Sequence, residues 1–275
     1  MILADLLANE ELRRDEFPVV RDKIFLAHAG DCPLPRRVAE AISGYASQAA
    51  RGDQEKAAYP GKLDELRKLG AQLLGCAPGE VAFVGPTSLA LSFFASGLKF
   101  HKGDNLLIYF EDYPSNVYPW MALADEGVEV RRMSTRELGE IRQADVMGQV
   151  DANTRLVALA SCHFISGYRL DIQAIGKFLR ERNILFCLDA IQTLGAFPTN
   201  VAEVDLLAAD AHKWLLGPCG AGLMYVRHSV QELLNPPIYG WHNVRCPNYV
   251  AQEQRAVSQL RGPGAPGLAQ GRTEI

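Results

Sequence analysis

Seven short apolar runs, separated by segments with helical apolar spacing, constrain this chain more than any other feature of its sequence. They lie at 81–84, 105–110, 128–133, 155–160, 184–188, 204–208 and 222–226. Amphipathic helix patterns fall between or beside them, at 35–50, 62–74, 88–99, 115–125, 172–182 and 229–234. Most runs are apolar almost throughout, rather than at every second residue. Strands of that kind are buried on both faces, and their alternation with helices predicts an α/β fold with a mostly parallel seven-stranded sheet flanked by helices.

Composition fits one large core. With 275 residues and 48% hydrophobic content, the chain is long enough for one big domain, or one domain with an appendage. Its net charge of -4 gives no electrostatic reason to expect nucleic acid or an anionic membrane as partner. The cysteines, Cys32, Cys76, Cys162, Cys187, Cys219 and Cys246, show no CxxC spacing, so neither a metal site nor a redox pair is expected. Asp5, Glu10 and Glu11 interrupt the N-terminal residues before an apolar core can form, which argues against a signal peptide. No charge-free run approaches the roughly 18 residues of a membrane span, and a cytoplasmic protein is expected. From Arg261 the chain becomes dense in Gly, Pro and Ala without apolar periodicity, and reads as an unpacked tail.

The chemistry concentrates between Leu188 and Gly220. One apolar run ends at Asp189, with Gln192 three residues on; the next ends near Asp210, His212 and Lys213. Polar residues at the carboxyl ends of successive buried strands are where open α/β sheets bind ligands. A lysine that forms an imine with an aldehyde must be held where its neutral form costs little. Lys213 precedes Trp214, Leu215 and Leu216 and a turn containing Gly217, Pro218 and Gly220, a setting unlike that of a free surface lysine. A carboxylate such as Asp189 keeps a pyridine nitrogen protonated so that the ring can accept electrons, and Gln192 could donate to a ring hydroxyl. Taken alone, Asp189 would read as a helix cap.

Further candidates follow the other runs. Gly85-Pro86-Thr87-Ser88 stands between a strand and a helix, where backbone N–H groups and hydroxyls can hold a phosphate, although Thr or Ser there is also an ordinary cap. Tyr113, in a Pro-containing loop, could lie face to face on a flat cofactor or merely cover the core. His163 and Arg169 follow the 155–160 run and could face the same crevice. Arg169 would suit a substrate carboxylate by its fork geometry, or pair with Asp171. His28 is a third substrate-side candidate. No GxGxxG or GxxxxGK[ST] element is present for a nucleotide.

In order and spacing, Asp189-Ala190-x-Gln192, Asp210-x-His212-Lys213-Trp214, Gly217-Pro218-x-Gly220, the GPTS at 85–88 and the YPSNVYPW at 113–120 resemble the class V aminotransferases, pyridoxal-phosphate enzymes of fold type I. The resemblance runs from about Ile24 to Trp241. It implies pyridoxal 5′-phosphate as cofactor, with Lys213 carrying the internal aldimine, Asp189 at the pyridine nitrogen and Gln192 at the ring oxygen. It also implies Tyr113 on the ring, and phosphate contacts from Thr87, Ser88, Asp210 or His212. The YPSN, Phe164-x-x-Gly167-x-Arg169 and HKWLLGP features resemble the isopenicillin-N-epimerase-like branch, with kynureninases and cysteine desulfurases as cousins.

The resemblance implies amino-acid chemistry at the α-carbon, by transamination, epimerisation or a lyase reaction, in a homodimer. Residues 1–30 are expected to form an N-terminal segment, 31–250 the cofactor-binding large domain, and 251–275 an aberrant or disordered tail. The family's small C-terminal domain is missing from this pattern, as a truncated gene or shifted reading frame would leave it. The competing expectation is therefore a non-catalytic fragment that keeps the large-domain fold.

Overall fold

The computed structural model describes residues 3–54 and 61–239. The expected tail at 251–275 and Cys246 lie outside the described residues. All seven apolar runs form strands: β1 (Val81–Val84), β2 (Asn105–Ile108), β3 (Glu129–Arg132), β4 (Thr154–Ala160), β5 (Leu185–Asp189), β6 (Leu206–Ala209) and β7 (Gly222–Val226). They make one sheet in the order β1-β7-β6-β5-β4-β2-β3. The pairs β2–β3, β2–β4, β4–β5 and β5–β6 are parallel, whereas β7 runs antiparallel to both β1 and β6.

Side chains of the central strands alternate between two buried layers, as the pleat requires. Val157, Leu159, Phe186, Leu188 and Leu207 join one core with Ile175 and Leu179 of the helix Ile172–Arg180. Leu156, Ala158, Cys187, Leu206 and Ala208 join the other with Phe94 and Trp120. The helix Lys62–Leu74 also covers the first face through Ala71 and Leu74, and the helix Thr87–Gly97 covers the second. Both faces being occupied explains the continuous apolar runs.

The helix expected at 115–125 is broken. The backbone forms a 3-10 turn at Pro114–Asn116, one α-turn at Tyr118–Met121 and a further 3-10 segment at Ala122–Glu126. Pro119 lacks an N–H and clashes with the preceding turn, so a single continuous helix cannot pass through it. Two short helices, Leu3–Ala8 and Glu10–Glu16, precede the sheet; Glu16 is buried and accepts from Arg37 Nε at 2.6 Å, tying this segment to the helix Arg36–Ala49. Among the described residues no helix is long and apolar enough to cross a membrane.

Chain order reverses between β2 and β4: β3 lies on one side of β2, while β4, β5 and β6 add successively on the other. Ligands of open α/β sheets bind outside the strand carboxyl ends at such a reversal. The loops after β1, β2, β4, β5 and β6 all emerge at this edge, because β1, antiparallel to β7, is parallel to the rest. Tyr113, His163 and Lys213 lie in these loops, Asp189 ends β5, and Thr87 opens the helix after β1.

Candidate active site

Lys213 follows β6 in a turn and is only 8% exposed. Among the described residues it has no ion pair, and burial pushes its ammonium pKa down against the opposing charges of Asp189 and Asp31. Its Nζ stands 5.4 Å from the centroid of the Tyr113 ring. Tyr113 is itself 46% exposed and lies at a right angle to Phe164, with ring centroids 5.3 Å apart.

Asp189 is the last residue of β5 and is buried. No helix follows it, so it caps none; Oδ1 accepts from Ile191 N at 3.1 Å. Oδ2 has no hydrogen bond among the described residues and can accept from a ring N–H. Burial first, and the nearby charge of Asp112 second, push the Asp189 carboxyl up to about 7, while the Ile191 N–H and Lys213 pull it down.

Gln192 reaches sideways. Its Nε2 donates to Ala29 O and its Oε1 accepts from Trp214 Nε1, each at 3.0 Å. His28 stacks on Trp214 with ring centroids 5.6 Å apart, and Cys32 N donates to His212 O at 2.7 Å. The N-terminal loop is thus laid along the Lys213 turn, which places His28 beside the site. Gly195 makes room for that turn: its φ is +95°, and a Cβ there would stand 2.4 Å from Trp214 O, where the neighbour is backbone and cannot rotate away.

The hydroxyl of Thr87 accepts from Asp210 N at 2.9 Å, and neither Thr87 nor Ser88 caps the helix Thr87–Gly97, whose N-cap position is Pro86. Gly222 of β7 lets the loop after β1 lie close, since a Cβ there would meet Gly85 O at 2.4 Å. His212 Nδ1 is hydrogen-bonded to Asp210 Oδ2, which also accepts from Gly220 N at 3.1 Å. Asp210 Oδ1 is buried with no hydrogen-bond partner among the described residues. Asp210 thus holds the His212 ring through Oδ2, with its other oxygen left over.

Two substrate-side candidates are engaged elsewhere. His163 is 4% exposed, and both ring nitrogens are engaged, with Ser166 Oγ and Glu111 O, each at 3.0 Å. It backs Phe164, which in turn backs Tyr113, and has no free nitrogen for a substrate. Arg169 packs its guanidinium over Phe197, 4.4 Å from the ring centroid. Arg169 and Phe197 line a cleft of about 700 Å³ whose walls include neither Lys213 nor Asp189. The suggested pairing with Asp171 is not formed either: Asp171 caps the helix Ile172–Arg180 by accepting from Ala174 N at 3.0 Å.

One residue of this edge escaped the spacing argument. Asp112 is 5% exposed and accepts three hydrogen bonds, from Tyr113 N, Asn116 Nδ2 and Ala160 N. The available signal was an acid and an amide four residues apart in EDYPSN, with Trp120 four further on.

A buried lysine without an ion pair among the described residues, a buried acid with one unbonded oxygen and a part-exposed aromatic ring are gathered at the ends of parallel strands, a combination that suits a flat, aldehyde-bearing cofactor. The aminotransferase class-V family model matches residues 24–269, and the chain belongs to that family, whose cofactor is pyridoxal 5′-phosphate. It is similar to a probable cysteine desulfurase of Methanothermobacter thermautotrophicus, 31% identical over 85% of this chain and 60% of that protein. An uncharacterized aminotransferase of Bacillus subtilis, YcbU, is also 31% identical, over 84% of this chain and 62% of that protein. The solved apo structure of a cysteine desulfurase from Thermococcus onnurineus superposes with a TM-score of 0.78 at 26% identity, covering 86% of this chain and 61% of that one. The chain therefore spans about three-fifths of the length of relatives it matches.

Proposed function

We propose that this chain binds pyridoxal 5′-phosphate at Lys213 and acts at the α-carbon of a small-molecule amino acid. The observation that carries this reading is the buried, unpaired ammonium of Lys213 in electrostatic reach of Asp189, a buried acid with one unbonded oxygen. The residues fit the cofactor's parts. Asp189 Oδ2 offers an acceptor for the ring nitrogen, Tyr113 a stacking face, and Gln192 Nε2 a second N–H for the ring oxygen. The Thr87 O–H, the start of the helix Thr87–Gly97, Ser88 and His212 suit the phosphate.

When bound, the cofactor supplies an aldehyde that condenses with amines and a ring that draws electrons from the α-carbon. This chain's residues do the rest. Asp189 holds the proton of the ring nitrogen in place. Lys213, whose burial favours the neutral amine, would remove and return the substrate's α-proton at Nζ. Tyr113 and Phe164 keep water from one ring face. The names of the relatives, cysteine desulfurase and aminotransferase, support an amino acid as substrate without choosing the bond that breaks.

The reading takes 31–250 as the cofactor-binding unit of a homodimer. Exposed Ile24, Leu26 and Tyr118 support a covering partner. Free thiols at Cys32, Cys76, Cys162, Cys187 and Cys219 support the reducing cytoplasm. The test is uptake of pyridoxal phosphate by the purified chain, followed as an absorption band near the visible edge. Borohydride reduction and peptide mass analysis should then locate the cofactor on Lys213, and Lys213→Ala should abolish both signals. Wild-type protein that takes up no cofactor sinks the reading.

A further inference from the structure

We propose that Asp112 is a positioning residue of this site: its carboxylate fastens the Tyr113 loop to the end of β4 and places a fixed negative charge beside Asp189. The inference deepens the pyridoxal-phosphate reading and rests on it. Asp112 Oδ1 accepts from Tyr113 N at 2.9 Å, while Oδ2 accepts from Ala160 N at 2.8 Å and Asn116 Nδ2 at 3.2 Å. Asn116 Oδ1 accepts in turn from the fully buried Trp120 at 3.3 Å. The loop that presents the stacking ring is therefore held at both ends through one side chain.

The strand register explains why an acid is needed. β2 stays in register with β4 only as far as Ile108 opposite Ala158. Two residues later Ala160 N–H has outrun β2, and a buried donor without an acceptor is costly. Asp112 supplies that acceptor. Ala160 is also the register partner of Asp189 on β5, which puts the two carboxylates on either side of one strand end.

Asp112 acts as a carboxylate because each of its partners is an N–H donor, leaving no acceptor for a carboxyl proton. Burial, the largest influence, leaves its pKa raised, while those donors and neighbouring His163 pull against that shift toward the carboxylate. The charged and titratable groups around it are His163 from the loop after β4 and Asp189 from β5, with Lys213 beyond Asp189. A fixed negative charge there favours protonated forms of the groups near it, so removing the charge should make the bound cofactor titrate at lower pH.

The experiment compares the full chain with Asp112→Asn and Asp112→Glu, loaded with pyridoxal phosphate. Two quantities are read: the dissociation constant of the cofactor, and the pH midpoint of its visible band. Asp112→Asn should weaken affinity by about tenfold, since an amide cannot accept from all three donors, and lower the midpoint by about half a pH unit or more. Asp112→Glu keeps the charge on a longer arm, so affinity should weaken while the midpoint holds. If Asp112→Asn does not fold, Asp112→Glu decides: a midpoint that falls despite the retained charge overturns the proposal. Asp112→Asn that folds and matches wild type in both quantities overturns it as well. Wild-type protein that takes up no cofactor overturns the underlying reading and this proposal together, an outcome distinct from wild-type uptake with unaltered variants.

Discussion

The Lys213 ammonium nitrogen lies 5.4 Å from the centre of the Tyr113 ring, although the two residues are carried by loops after different strands, β6 and β2. A flat cofactor bonded to Lys213 would share that ring face. Aromatic stacking contributes about 0.5–1.5 kcal/mol beyond area burial. Tyr113→Ala should accordingly weaken pyridoxal-phosphate binding by up to about tenfold, since about 1.4 kcal/mol corresponds to a factor of ten. Tyr113→Phe keeps the face and should bind within about twofold of wild type. Equilibrium titration of cofactor fluorescence measures both; equal losses in the two variants would assign the effect to the hydroxyl instead.

Asp189 makes the cofactor-free protein sensitive to pH in a defined direction. Its carboxyl is raised from 3.8 to about 7, chiefly by burial, so across that window the folded chain keeps a proton that the unfolded chain releases. The stability contribution is fully present below about pH 4 and is lost as pH rises through about 7. Each pH unit of the window is worth about 1.4 kcal/mol, so the whole is on the order of 4 kcal/mol. Asp189→Asn has no such proton to lose. Urea unfolding of the cofactor-free proteins at pH 4, 5.5 and 7 should show the variant gaining on wild type at each step. A constant difference across these values would mean that Asp189 is ionised throughout.

The strand positions were legible because a doubly covered sheet leaves an uninterrupted apolar run, and all seven runs became strands. Strand direction was not: the run 222–226 carries nothing that distinguishes β7, the antiparallel member, from its parallel neighbours. Asp189 and Lys213 could be placed because a polar residue ending an apolar run marks a strand's carboxyl end. His163 and Arg169 satisfied the same rule, yet the structure turns one to Ser166 and Glu111 and the other to Phe197. Spacing locates a Cα at the right edge but says little about where a long side chain points. Asp112 was marked locally only by its four-residue spacing to Asn116 and Trp120; its tie to Ala160 spans 48 residues, and the need for an acceptor there arises from the β2–β4 register.

Gln192 leads to a prediction that separates local anchoring from global stability. Its two amide atoms join Ala29 O to Trp214 Nε1, both at 3.0 Å, and thereby hold the loop containing His28 against the Lys213 turn. Gln192→Leu conserves volume and removes both bonds. Ala29 is exposed, so its carbonyl can turn to water, but half-buried Trp214 is left with an unsatisfied N–H, and the global cost should be about 1–2 kcal/mol. The loop should suffer more than the sheet. Cys32 N, bonded to His212 O at 2.7 Å, should exchange its hydrogen about tenfold faster beyond any global effect, because local opening no longer breaks the Gln192 links as well. The amide of Cys187, in the buried centre of β5, reports the global term alone. Acceleration shared equally by both amides would show that Gln192 supports the whole fold and does not specifically anchor the loop over Lys213.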